Sequence, residues 1–210
     1  MSTTPTATVH SAVYDGLADW EVGFATAHLA NGAWQRDPGR FGVVTVGATR
    51  DPITTMGGVR VTPDVTLNEL SPADSVMLIL PGADAYATGG LTGFTRKARE
   101  FLDAGTPVAA ICGATFGLAL EGLLDDRRHT SNAAEALASS QYAGGALYQS
   151  VPAFTDGDLI TASGVHPVDF AREIMGKLEA YEPHVLDAWY RLYTTGDAEA
   201  YFELEGAGAA

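Results

Sequence analysis

The sequence predicts an α/β fold, a mainly parallel sheet with helices packed on both faces. Short apolar runs alternate with stretches of helical period, the order that builds parallel strands joined by crossover helices. Two of those runs, in "SVMLILPG" (75–82) and "PVAAIC" (107–112), are apolar on consecutive residues, as strands covered on both faces are. Hydrophobic residues make 46% and charged residues 18% of the 210 positions, enough for a sizeable core.

The first strand is read in "ATVHSAVY" (7–14), and a helix follows over 19–31, with Asp19 as its cap and Glu21 in its first turn. "FGVVTVGA" (41–48) is the next strand. "TMGGVRVTPDVTL" (55–67) alternates, so a small hairpin outside the main sheet is expected, turning at Pro63-Asp64. After the strand at 75–82, Phe94, Ala98, Phe101 and Leu102 recur at helical spacing over 92–104, and Gly105 stops that helix. The strand at 107–112 leads into helices over 113–124 and 132–140. A second hairpin over 148–161 turns at Asp156-Gly157; its second arm continues as the strand "DLITASG" (158–164), and a helix covers 167–180. The helical tail 181–210 carries Leu186, Trp189, Tyr190 and Tyr193 on one stripe, for core or subunit contact. No repeat or linker divides the chain, so one domain over 1–210 is expected.

Twelve basic against 26 acidic residues give a formal charge of −14, which disfavours nucleic acid and anionic membranes as partners. The one basic pair, Arg127-Arg128, reads as a solvated turn. No apolar run approaches the ~20 residues of a membrane span, and "MSTTPTATVH" lacks the pattern of a signal peptide. A single cysteine forms no internal disulfide and no zinc cage, which points to a cytoplasmic protein. Neither a dinucleotide fingerprint nor a phosphate loop is present, and no histidine pattern suggests a metal, so no cofactor is expected.

The lone thiol, Cys112, falls where a strand ends and a helix begins, the edge where open α/β sheets bind ligands. The helix N-terminus there favours thiolate and predicts a pKa lowered by roughly one unit. Gly113 lets backbone and substrate approach, and its N–H is a candidate oxyanion donor. Glu21 lies in the loop after the first strand, which opens onto the same edge; if it meets the sulfur, its pKa should be raised. The turn "LPGADAY" (80–86) brings Gly82 and Ala83 to this crevice, with the Ala83 N–H as a second oxyanion donor. Of the histidines, His166 follows the last strand and is the candidate base, and His129 is a second possibility. His10 and His28 read as structural.

Together these residues resemble the DJ-1/PfpI family of the class I glutamine amidotransferase-like superfamily, over roughly residues 8–180. "YDGLADWE" (14–21) is similar to a Tyr-Asp-Gly-Phe-Ala-Asp-Trp-Glu signature of a bacterial branch, and the glutamate, Pro-Gly loop and Ala-x-Cys elbow arrive in family order. The resemblance implies a flavodoxin-like three-layer sandwich, commonly homodimeric, with Cys112 as nucleophile and Glu21 as its protonated partner. It places Gly113 and Ala83 at the oxyanion site. Where several relatives have a histidine, this chain has Asn132, with His129 three residues early. PfpI-type peptidases carry histidine directly after the cysteine, where Gly113 stands here. His166-Pro167 is followed by Val168, not by the acid of a glutamine amidotransferase triad. Three functions stay open: a cysteine enzyme acting on a small electrophile such as an isocyanide or 2-oxoaldehyde, a redox sensor or stress-protective protein working through Cys112, and a non-catalytic dimeric binding module.

Overall fold

Met77, Leu78, Ile79 and Leu80 are all fully buried, and successive side chains go to opposite faces of one sheet. In the computed structural model, which describes residues 5–208, that sheet has seven strands. They are β1 (Ala7–Ala12), β2 (Phe41–Gly47), β5 (Val65–Thr66), β6 (Met77–Leu80), β7 (Val108–Ile111), β8 (Ala153–Asp156) and β9 (Leu159–Ala162), in the order β5-β2-β1-β6-β7-β9-β8. All neighbours are parallel except the edge pair β8–β9. A separate antiparallel ribbon joins β3 (Ile53–Thr54) to β4 (Arg60–Val61).

Each face of the sheet has its own core. Leu78, Leu80, Val108 and Ala110 pack with Phe94, Ala98 and Phe101 of α2 (Thr92–Asp103), Leu118 of α3 (Gly113–Leu120) and Leu137 of α4 (Ala134–Ala138). On the other face Met77, Ile79, Ala109 and Ile111 meet α1 (Gly23–Ala30), α5 (Pro167–Lys177), α6 (Pro183–Thr195) and α7 (Ala198–Gly208). Phe101 and Phe170, one in each core, are fully buried, and each is worth about 3–5 kcal/mol against alanine. The architecture is the expected three-layer, flavodoxin-like α/β sandwich.

Several elements depart from the sequence reading. Asp19 does not cap α1: its carboxylate accepts from Thr55 Oγ1 (2.5 Å) and Gly57 N (2.7 Å), so α1 starts at Gly23 and Glu21 lies before it. The first hairpin turns at Gly57-Gly58, where Gly58 takes φ +83°, and not at Pro63-Asp64. Asp64 instead bonds to Thr45, and Val65–Thr66 joins the main sheet beside β2. Helix α3 ends at Leu120 because Gly122, at φ +70°, closes it with Leu123 N donating to Leu118 O. Residues 131–133 precede α4 and are not part of it. The turn at Asp156-Gly157 is as expected. The aromatic tail stripe is core, with Trp189 fully buried against Phe24, His28 and Tyr193. Leu186 and Tyr190 of the same stripe are half-buried, and Tyr193 is exposed at its edge. His10, bonded to Ser75 Oγ, and His28, stacked on Trp34, serve the fold.

From β1 the chain runs to one side of the sheet, through β2 and β5; from β6 it runs to the other. The crevice at such a reversal lies at the carboxyl ends of the strands. The loops after β1, β6, β7 and β9 meet there.

Candidate active site

Cys112 is the residue between β7 and α3, held at φ +57°, ψ −124°. Its N–H donates to Ala162 O (3.0 Å), and its carbonyl accepts from Thr115 N (3.1 Å) and Thr115 Oγ1 (2.6 Å). Thr115 Oγ1 in turn lies 2.6 Å from Ser131 Oγ. A non-glycine residue in so sparse a region costs about 1–3 kcal/mol, and these bonds hold it there.

Glu21 is fully buried. Its Oε2 accepts from Gly82 N at 2.5 Å, whereas Oε1 has no hydrogen-bond partner among the described residues. The Pro81–Gly82 peptide is gripped from both ends: the buried Tyr14 hydroxyl donates to Pro81 O and lies 2.9 Å from Tyr86 Oη, while the N–H faces Glu21. The Gly82 N–H is thus committed to Glu21 and is not an oxyanion donor. Gly113 N–H faces the sulfur, and the Ala83 N–H is unpaired among the described residues. The two loops touch there: a Cβ on Gly113 would sit 2.7 Å from Ala83 O.

Two glycines pinch the Cys112–Glu21 pair. A Cβ on Gly82 would be 2.7 Å from Cys112 Cβ and 2.8 Å from Glu21 Oε2. On Gly164 it would be 2.8 Å from Cys112 Sγ and 2.9 Å from Glu21 Oε1. Neither position has room for a side chain. Asn132 Oδ1 accepts from Gly164 N (2.8 Å), which fixes the amide orientation, since that N–H can only donate. The Asn132 Nδ2 therefore faces the thiol and donates to Sγ at 3.2 Å. Trp20 Nε1 donates to Gly164 O (2.8 Å).

Above the sulfur lies a cavity of about 180 Å³. Trp20, Met56 and Phe116 form its apolar walls, and Asp84 joins Glu21, Asn132 and Cys112 as its polar lining. A larger groove of about 530 Å³ runs beside α1, but it is apolar and its only titratable side chain is Asp19. The candidate site residues Cys112, Glu21, Ala83, Gly113 and Asn132 line the smaller cavity.

The expected lowering of the thiol pKa is overturned. Burial of the sulfur, with the facing Glu21 carboxylate, pushes Cys112 up to about 11, against the opposing pull of the Asn132 amide and the Gly113 N–H. The helix N-terminus is present, but desolvation outweighs it. Glu21 is raised as expected, by burial, although the Gly82 N–H and the thiol favour its ionised form. Two neighbouring acids that both resist ionisation keep at least one proton between them at neutral pH.

The candidate histidines stand elsewhere. His166 is the N-cap residue of α5, half-exposed, with Nδ1 3.4 Å from Asp169 Oδ2, and it does not line the cavity. His129 is buried between Arg127 O (2.8 Å) and Tyr142 Oη (2.9 Å), a structural post whose burial lowers its pKa. Among the described residues no cluster of three or more His, Cys, Asp or Glu could hold a metal, and no helix is long and apolar enough to cross a membrane. Sequence reasoning missed Tyr14, Trp20, Met56, Asp84, Phe116 and Gly164. Tyr14 and Trp20 stand inside the "YDGLADWE" motif, the one signal that could have found them.

Comparisons with known proteins agree with this fold. YoaZ of Bacillus subtilis (strain 168), named an uncharacterized protease, is 39% identical over 199 residues, covering 93% of this chain and 95% of that protein. YdeA of the same organism, also named an uncharacterized protease, is 29% identical over 179 residues, covering 83% and 85%. The crystal structure of a thiJ/pfpI family protein from Bacillus anthracis superposes with a TM-score of 0.89 at 36% identity, covering 99% of this chain and 98% of that one. A DJ-1 superfamily protein from Agrobacterium tumefaciens gives 0.75 at 32% identity, covering 97% and 98%. The DJ-1/PfpI family pattern matches residues 7–177, from β1 to the end of α5, so the strands, the elbow and the glutamate loop all fall within it: the chain belongs to the DJ-1/PfpI family.

Proposed function

We propose that the protein is a cysteine-dependent enzyme that adds water to a small electrophilic carbon, with Glu21 as its proton carrier. The observation behind this reading is the Cys112–Glu21 pair, a half-buried thiol beside a fully buried carboxyl under one small cavity, with the Asn132 amide on the sulfur. The one proton of the pair passes to Glu21 as the sulfur attacks, so the thiol need not titrate on its own.

For an isocyanide, the C–S bond forms as the carbon takes the Glu21 proton, giving a thioimidate on Cys112. Water then adds across the C=N bond, with the glutamate carrying one proton from water to nitrogen. Collapse breaks the C–S bond, returns the remaining hydroxyl proton to Glu21 and releases a formamide and the thiolate. One water is consumed and the pair regains its starting state. With a 2-oxoaldehyde the first step yields a hemithioacetal, the carbonyl oxygen taking the proton. The unpaired N–H of Ala83, with that of Gly113, would stabilise the developing anion.

The protease names of YoaZ and YdeA suggest a second substrate class. Cysteine peptidases pair the thiol with a histidine, and no histidine lines this cavity. Its volume also suits a small molecule better than a chain. The test is a panel of small isocyanides and aldehydes beside an unfolded protein substrate. Turnover of a small electrophile that is lost in Cys112→Ala and Glu21→Gln, yet kept in His166→Ala, supports the reading. Proteolysis by the wild type, or equal turnover by Cys112→Ala, overturns it.

A further inference from the structure

We propose that the cavity selects by charge, accepting small electrophiles that carry an ammonium or amine group and rejecting anionic ones, with Asp84 as the residue that decides. This rests on the nucleophile reading of Cys112. The cavity lining contains no lysine, arginine or histidine, and its carboxylates are Glu21 and Asp84. Glu21 is fully buried and accepts from Gly82 N. Asp84 is not committed to anything: it is exposed, and its carboxylate makes no hydrogen bond or ion pair among the described residues, whereas most acidic neighbours along the chain are paired. It opens the short turn Asp84–Tyr86 directly after Ala83, whose backbone lies against Gly113, so its place beside the reacting groups is fixed by the same loop that lines them.

The apolar walls complete the recognition. Trp20 is half-exposed, and its Nε1 donates to Gly164 O, which holds the ring in the cavity wall. A cation near an indole face is favoured, and an anion is not. A carboxylate and an indole lining one small cavity, with no positive side chain to oppose them, make a site for a short apolar stem ending in an ammonium group. The chain's charge of −14 adds a general repulsion of anions, and the test must separate that from the local effect.

Because Cys112 is the chain's one cysteine, charged thiol reagents report on this site alone. The probes are methyl, 2-aminoethyl and 2-sulfonatoethyl methanethiosulfonates, with rates of Cys112 modification followed by intact mass and referred to a neutral free thiol. A unit charge about 6 Å away in an effective dielectric of about 40 changes such a rate by about tenfold. The cation is then speeded and the anion slowed, so the cation-to-anion ratio of the wild type should exceed that of the free thiol by about a hundredfold. Asp84→Asn should lose most of that excess. Asp103→Asn, which removes an equal charge from an exposed position on α2, should keep it. A ratio unchanged in Asp84→Asn, or reduced equally in both variants, overturns charge selection by Asp84 while leaving the nucleophile intact. Failure of all three reagents to modify Cys112 overturns the nucleophile reading, and the selection with it.

Discussion

Replacing Asn132 by alanine takes away the donor that faces the Cys112 sulfur at 3.2 Å. Hydrogen bonds to a charged group are worth about 1.5–3 kcal/mol, and the exposed position of Asn132 argues for the lower end. At 1.36 kcal/mol per unit, the loss corresponds to about one pKa unit. The sign follows from which form is stabilised: the amide donates to thiolate, so its removal raises a pKa already pushed up to about 11. The rate of alkylation by iodoacetamide, followed from neutral to alkaline pH, should fall about tenfold at any pH below the midpoint. Asn132→Asp gives an internal control. It keeps an acceptor for Gly164 N but sets a carboxylate against the sulfur, so its midpoint should lie above that of the alanine variant. An unchanged or lowered midpoint in Asn132→Ala would refute the argument, because the amide would then contribute nothing to the thiolate.

Two further predictions concern stability. Gly164→Ala forces a methyl group to 2.8 Å from Sγ and 2.9 Å from Glu21 Oε1; overpacking of this kind should cost about 1–3 kcal/mol in chemical denaturation, and a variant as stable as wild type would contradict the close approach. The raised carboxyl of Glu21 contributes stability that is fully present below its ordinary value of 4.5 and is lost as pH rises through its folded value, while Cys112 contributes in the same sense between 9.0 and about 11. Melting temperatures across pH should therefore flatten on the acid side in Glu21→Gln and on the alkaline side in Cys112→Ala, and parallel curves for all three proteins would speak against both shifts.

The sequence made the sheet legible because its signals are local. Consecutive buried residues at 77–80 and 108–111 can hardly be anything but strands covered on both faces. The elbow at Cys112 followed from the same reading, and Glu21 from the rule that both loops open on one edge. Long-range competition was the part hidden from view. Asp19 has the chemistry of a helix cap, but Thr55 and Gly57, far along the chain, offer its carboxylate better partners. The Gly57-Gly58 pair beat Pro63-Asp64 as a turn because the strand after Asp64 found a free edge on β2. The direction of the thiol shift was misread for a related cause: a helix N-terminus is visible in sequence, whereas the depth to which a sulfur is buried is not. Gly164 stayed unseen because its need to be glycine arises wholly from the sulfur and the carboxyl that fold against it.

That pinch has a stereochemical consequence. With Gly82 closing on the sulfur from one loop and Gly164 from another, the approach left open is the side bounded by Trp20, Met56 and Phe116. Under the proposed mechanism a prochiral carbon, such as the carbonyl of an aldehyde, would meet the sulfur from that side, so one of its faces would be favoured. The proposed enzyme would then form its adduct with one hand in excess, set by two missing side chains together with the groups that touch the substrate.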